Sequence, residues 1–490
     1  MNTNASLWLL FLPMAASPLV YLSGRFAVRL KQPPVLARWL SIIALAVVWL
    51  LFGWVAQNQV AGVTLGAVAF RFDGISLFMT CLALTLVSLS LIYSLRALAG
   101  APGEEKFYAA LVVMAGAVVG LATTTDLFNL WLWFELMTVA SYFLVMFQGG
   151  RALEAGVKYL IQSAIGSALV LLGVALVLMY AGSFDLAEIA RVGLPTPALM
   201  AAGALFVVGF GVKAALVPLH AWLPDAHSQA PAPISALLSG IVIEVALVAM
   251  LRALGALGGG FLTWGNLLLG FGAVNMLAGN LLALRQTDVK RLLAYSSISQ
   301  VGVMLLGFGI AITAGSADGA SGAFFQVASH GLAKGLAFLA AGALLYVLNR
   351  HTLNRDDLAG AARRYPLVSL CFSVALLSLS GLPPLAGFMG KWQVFAAGLA
   401  TDNTALWLLV LFAALNSLLS LGYYLPLVNR LYRNTLAPGL VDARPLPMAM
   451  TAPLALLALL LLLFGLFPNL LDNLTGAAGQ TLMLMFGGAG

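Results

Sequence analysis

Lys213-Ala-Ala-Leu-Val-Pro218-Leu-His220-Ala-Trp-Leu-Pro224-Asp225-Ala-His227, continuing to Ser235 through Pro231 and Pro233, interrupts an apolar run that begins near residue 198. An ionisable side chain at mid-membrane costs at least ~2.5–3.5 kcal/mol on insertion scales, so a lysine there needs a reason. The prolines add a second anomaly. Pro218 removes the amide donor that the carbonyl of Ala214 would use, one residue past Lys213. Backbone groups opened inside a bilayer are tolerated only where protein or water satisfies them. The stretch therefore predicts a helix broken at membrane depth, a hydrated pocket at the break, and a lysine beside it. Leu382-Pro383-Pro384 has the same form: it frees the carbonyls of Leu379 and Ser380 in a run, 366–399, too long for one straight crossing, and Lys391 follows.

Composition agrees with a membrane reading. Of 490 residues 62% are hydrophobic and 8% charged, and the mean hydropathy is +1.01, which leaves too little polar material to cover a soluble surface. Apolar runs fall near 4–23, 36–56, 73–95, 107–123, 125–147, 155–180, 198–217, 233–254, 262–283, 292–314, 320–347, 366–399, 404–428 and 447–468, an all-α polytopic membrane protein of about 14 transmembrane helices. Of the 24 basic residues, eighteen flank one side of this topology, Arg71, Arg191 and Arg252 flank the other, and Lys213, Lys334 and Lys391 are buried. By the positive-inside rule both termini face outward in the cell inner (plasma) membrane. The net charge of +7 is thus membrane topology, and a nucleic-acid partner is excluded. Met1 to Ser23 carries no basic stretch before its apolar run, so it reads as a retained first helix.

Interrupted segments paired between the two halves mark transporters built from internal repeats. They divide the chain into 1–106 (helices 1–3), a first five-helix repeat at 107–254, a second at 262–432, and 447–490 with helix 14 and a tail. Helices 7 and 12 are the broken ones. Glu135 and Glu244 lie about ten residues into their helices, roughly 15 Å deep and close to the bilayer centre. His330 and Lys334 share one helix face at a spacing of four. The ionisable groups form a layer across the helix axes, suited to proton hopping in the membrane plane. Burial disfavours an ammonium and a nearby carboxylate favours it, so a lysine that a glutamate approaches and leaves is a proton switch. Arginine, always protonated, cannot serve. Tyr295, Ser296, Ser297, Gln300 and Gln326 can hold waters without holding charge.

Asp73-Gly-Ile-Ser-Leu, Trp131-Leu-Trp-Phe-Glu135-Leu-Met, Lys213 with Val217-Pro-Leu-His-Ala-Trp-Leu-Pro-Asp225-Ala-His227, Asp288-Val-Lys-Arg through Gln300, His330-Gly-Leu-Ala-Lys334, and Ser380-Gly-Leu-Pro-Pro-Leu-Ala-Gly-Phe-Met-Gly-Lys391 occur in order over residues 70–430. Together they resemble the antiporter-like subunits shared by respiratory complex I, Mrp-type sodium/proton antiporters and membrane-bound hydrogenases. The resemblance implies inverted repeats, partner membrane subunits of such a complex, and proton movement assigned to Glu135, Lys213, His330, Lys334 and Lys391. It also implies a departure: at Glu244 relatives usually carry a lysine or histidine that bridges two half-channels. Either Glu244 passes protons itself, or the bridge is altered or coupled to a cation such as Na⁺.

Other readings stand beside these. Glu135 with Lys213 is also explicable as a static buried ion pair, and His330 as an interhelical hydrogen bonder. His220, Asp225 and His227 read as capping and stiffening the break in preference to a metal cluster. Lys290 and Arg291, after Asp288 on the basic side, read as topological anchors. Cys81 and Cys371 read as small buried hydrophobes, and no flavin, haem, iron-sulphur or phosphate-loop pattern is present, so no cofactor is expected in this chain. Three functions fit: a proton-translocating subunit with Na⁺ as a further candidate ion; a pumping subunit of an NADH:quinone oxidoreductase or hydrogenase whose catalysis lies in partners; and a non-conducting scaffold. Length and the His330-to-Lys334 pattern lean towards the Mrp D-type subunit and its hydrogenase relatives over the largest complex I subunit.

Overall fold

The computed structural model describes residues 3–66, 68–192, 196–258, 261–441 and 444–487. It is 81% helix. Among the described residues twelve helices are long and apolar enough to cross a membrane, and the two broken segments add the remaining crossings of the expected fourteen. Helix ends follow local chemistry. Asp73, Asp126 and Asp288 each accept a hydrogen bond from the backbone N–H three residues on, at 2.7–2.8 Å, which satisfies donors the first helical turn cannot. Gly182, Gly315 and Gly381 end helices in the left-handed conformation.

Both breaks fall where the prolines put them. Pro197–Lys213 stops at Lys213, and the chain resumes as Trp222–Gln229. Pro366–Ser380 stops before Gly381, and Ala386–Leu399 follows. Each break contains a cis prolyl bond, Val217-Pro218 and Pro383-Pro384.

The chain divides into two compact units, one of residues up to Ala214 together with those from Ile241 to 260, the other of Ala215–Gly240 and everything after 260. The crossing Ala232–Ala256 is wholly buried, contributes residues to both units, and is π-helical over Leu238–Val242. In the first unit Glu104–Thr123 is the central helix, 83% buried, while Val35–Gln57 is 28% buried and presents Leu50 and Ile43 outward. Helices Arg151–Ala181 and Pro197–Lys213 touch backbone to backbone: a Cβ on Gly209 would stand 2.6 Å from the carbonyl of Gly166. In the second unit Val289–Ala314 and Ala317–Leu348 are central, 89% and 83% buried, and Thr404–Leu431 is peripheral at 28%.

Two elements fall outside the expectation from sequence. An antiparallel hairpin pairs Gly62–Leu65 with Val68–Arg71. The tail beyond residue 468 is a helix, Asn469–Met485, whose buried face includes Leu471, Thr475, Ala478 and Leu482 and whose Asp472 accepts from Gln393 Nε2 at 3.2 Å.

Candidate functional site

In the first unit Lys213 is the last residue of its helix and 1% exposed. Its Nζ donates to Tyr159 Oη at 2.7 Å and to Ser163 Oγ at 3.2 Å, both on Arg151–Ala181. Tyr159 Oη lies 2.8 Å from Ser141 Oγ, which donates to the carbonyl of Thr138, one turn from Glu135. Glu135 acts on Lys213 through space, and its Oε1 is buried without a hydrogen-bond partner among the described residues. The expected pair is therefore present as neighbours, with a tyrosine and a serine also holding the amine. Glu244 is in the same unit and fully buried. Two turns along its helix, Arg252 is held by the carboxylate of Asp73 at 2.8 and 3.0 Å and by the carbonyl of Ala122 at 2.9 Å.

The second unit holds the other charges. Lys334, 0% exposed, donates to the carbonyl of Leu293 at 2.7 Å and to Ser296 Oγ. Lys391 donates to the carbonyls of Leu379 and Ser380 at 3.0 and 3.1 Å, the two groups that the Pro383-Pro384 pair strips of their helical donors. Gln300 Nε2 shares the carbonyl of Leu379 at 2.9 Å, and Gln326 Nε2 donates to Gln300 Oε1 at 2.9 Å. His330 is 1% exposed and within electrostatic range of Lys334, Lys391 and His227. A small cavity of about 10 Å³ is lined by Lys391, Gln300, Ser299, Asn416 and Ser420 among others.

At the first break a side chain satisfies part of the opened backbone. Asn275 accepts from the N–H of Val217 at 2.8 Å and donates to the carbonyl of Ala215 at 3.2 Å. It thereby holds Ala215 at φ +57°, a left-handed backbone that costs a non-glycine residue roughly 1–2 kcal/mol.

Two sequence readings change. His227 does not cap the break: it is fully buried, its ring stacks on Phe338 at 4.6 Å, and neither ring nitrogen has a hydrogen-bond partner among the described residues. Lys290 is not a solvated anchor: it is 2% exposed and donates to the carbonyl of Ala230 at 2.6 Å. Arg291 pairs with Asp225 at 2.7 Å, which leaves that acid for structural work. Sequence reasoning misses Tyr159 and Asn275. Their only signal in the sequence is a polar residue in an apolar helix at buried spacing. Among the described residues no three His, Cys, Asp or Glu side chains gather as a metal site.

Architecture and site define a polytopic helical membrane protein with two proline-broken helices and a buried lysine serving the carbonyls of the second break. Residues 124–417 match the family described as NADH:quinone oxidoreductase/Mrp antiporter, TM, and the chain belongs to that family. It is 33% identical over 421 residues to NADH-quinone oxidoreductase subunit N of Desulforudis audaxviator, with 80% of this chain and 82% of that one covered. Its fold is similar to a chain of an archaeal membrane-bound sulfane sulfur reductase, with 26% identity, a TM-score of 0.87 and 98% of each chain covered. Likeness to a chain of the Mrp complex from Dietzia sp. DQ12-45-1b has a TM-score of 0.84 over 98% and 97% of the two chains, but at 23% identity it speaks for the fold alone. The lean towards an Mrp D-type subunit is corrected accordingly: the similarity in sequence runs to subunit N.

Proposed function

We propose that this chain is a proton-translocating membrane subunit of a multisubunit respiratory complex, akin to complex I or hydrogenase-type assemblies. Its buried amines carry the proton, and partner subunits supply the energy and any redox cofactor. The observation that carries this is the chemistry around Lys334 and Lys391: among the described residues, every hydrogen bond either amine makes goes to a neutral oxygen and none to a carboxylate. An uncompensated buried charge costs several kcal/mol. An amine placed so has little to hold it permanently charged, which suits a group that takes up and gives up a proton. A static scaffold would pair its charges, as Arg252 is paired with Asp73.

In the first unit, Glu135 is the mobile carboxylate and Lys213 the switch. With the carboxylate swung in, the ammonium is favoured; with it withdrawn, Tyr159 and Ser163 receive the amine and its proton can leave. In the second unit His330, Lys334 and Lys391 hold and pass the charge. Glu244, an acid in the helix that contributes to both units, passes protons as a carboxyl. The coupled electron-transfer reading is preferred to Mrp-type antiport because the similarity in sequence runs to an NADH-quinone oxidoreductase subunit; H⁺ is the ion proposed, and Na⁺ is left to the test. Domain limits at 1–106, 107–254, 262–432 and 447–490, with the two middle segments as inverted repeats, are proposed from the paired breaks. A plasma-membrane location with both termini outside is proposed from the basic bias.

Proton uptake by vesicles that contain the intact complex tests the reading. Lys213→Ala or Glu135→Ala is expected to abolish uptake at normal complex abundance, and a sodium jump in place of a proton-coupled donor reveals any cation dependence. Unchanged uptake in both variants refutes the conducting role.

A further inference from the structure

Helix Thr404–Leu431 turns much of its surface outward, with Leu408, Leu411, Leu415 and Leu418 all more than half exposed. One face differs. Asn416, Ser420 and Tyr424 follow one another at intervals of four, the spacing of a single helical stripe, and all three are buried. Asn416 and Ser420 line the cavity beside Lys391 and Gln300. One turn beyond Ser420, the hydroxyl of Tyr424 has Ser296, Gln300 and Tyr423 as its polar neighbours, yet no well-formed hydrogen bond joins it to any of them. A buried hydroxyl without a well-formed bond costs ~1–3 kcal/mol, and polar groups gathered without good direct geometry are a usual seat of a bridging water.

The two sides of that hydroxyl belong to different amines. Ser296 Oγ accepts from Lys334. Gln300 bonds the same Leu379 carbonyl as Lys391. We propose that Tyr424, supported by Ser420 and Asn416, is the relay through which a proton passes between Lys334 and Lys391, an assignment that rests on the proton-carrying reading above. The step balances as follows. An N–H bond of the Lys334 ammonium breaks as its proton passes by Ser296 and water to Tyr424 Oη. The original phenolic proton leaves the same oxygen on the other side. It travels through water in the Asn416–Ser420 cavity to the neutral amine of Lys391, where a new N–H bond forms. Lys334 ends neutral, Lys391 ends as an ammonium, and Tyr424 is unchanged.

The test uses inverted vesicles carrying the intact complex, energised by its own donor, with uptake read by a pH-sensitive dye and normalised to assembled complex on a native gel. Tyr424→Phe keeps the ring and removes only the hydroxyl. It is expected to lower uptake by about tenfold, the loss of roughly one hydrogen-bonded link, at unchanged abundance, and to raise the ratio of rates in light and heavy water. A purely structural tyrosine would leave that ratio alone. Asn416→Leu, which fills the cavity without touching the phenol, is expected to act in the same direction and decides the matter if Tyr424→Phe fails to assemble. Uptake within twofold of wild type in these variants, beside a Lys391→Ala variant that has lost it, overturns the relay and leaves the proposed function standing. Normal uptake by Lys391→Ala overturns the function itself.

Discussion

Replacing Asn275 by leucine isolates the clamp on the first break. The side chain is 0% exposed, accepts from Val217 N–H at 2.8 Å, donates to the Ala215 carbonyl at 3.2 Å, and reaches the Ile298 carbonyl at 3.4 Å. Leucine has the same branched shape and is larger, so no cavity opens, but two backbone groups lose their partner. Each buried unsatisfied group costs ~1–3 kcal/mol, while interhelical side-chain bonds in membranes average only ~0.6 kcal/mol with a maximum near 1.7. Together these put the loss at about 2–4 kcal/mol. Ala215 at φ +57° adds a local tendency to relax once released. At 1.4 kcal/mol per tenfold, the open form of the break should become roughly 30- to 1000-fold more populated. Hydrogen–deuterium exchange of the purified complex, followed by mass spectrometry, reads this directly. Peptides covering 214–222 should exchange faster by about 1.5 to 3 orders of magnitude, and peptides within 289–314 should not. Unaltered exchange across 214–222 would refute the clamp and return the break to water-held backbone.

Arg252→Ala should destabilise the complex by ~1–3 kcal/mol, because it leaves the part-buried Asp73 carboxylate without its guanidinium; a fall in the thermal midpoint checks this, and Asp73→Ala on the same background should recover part of it. Gly209→Val should reduce assembled complex, since a Cβ there meets the carbonyl of Gly166 at 2.6 Å and the two helices must part; immunoblotting of membranes decides. Tyr159→Phe should keep abundance and slow proton uptake several-fold, as Lys213 loses its 2.7 Å acceptor; wild-type uptake would remove the tyrosine from the switch. Glu244→Gln is expected to stop uptake at normal abundance, and full activity in that variant would show that its proton is not needed.

The crossings and the breaks are legible in the sequence because their causes are local. Apolar runs of about 20 residues must span, and proline denies a specific carbonyl its donor whatever surrounds it. The position of Pro383-Pro384 alone therefore names Leu379 and Ser380 as freed carbonyls, and Lys391 lies where they need a donor. The hairpin at 62–71 is not legible, because four-residue strands between long helices carry too little pattern. Lys290 misleads for a different reason. Asp288-Val-Lys-Arg has the composition of a basic helix start, which describes Arg291 but not its neighbour, whose amine is buried against the carbonyl of Ala230.

Partners of buried polar groups are another matter. Lys213 and Tyr159 lie 54 residues apart, Asn275 and Val217 58, and Arg252 and Asp73 179. A tyrosine or asparagine in an apolar helix reads the same whether it faces a lysine, a broken backbone or packed leucine. By itself the sequence determined that the chain crosses a membrane about fourteen times, where two helices break and which charges are buried, since hydrocarbon thickness and proline geometry act on contiguous residues. Only the tertiary structure decided which oxygen each amine meets, because hydrogen bonding depends on angstrom-scale approach between distant helices, and that approach is set by how glycines and apolar faces pack.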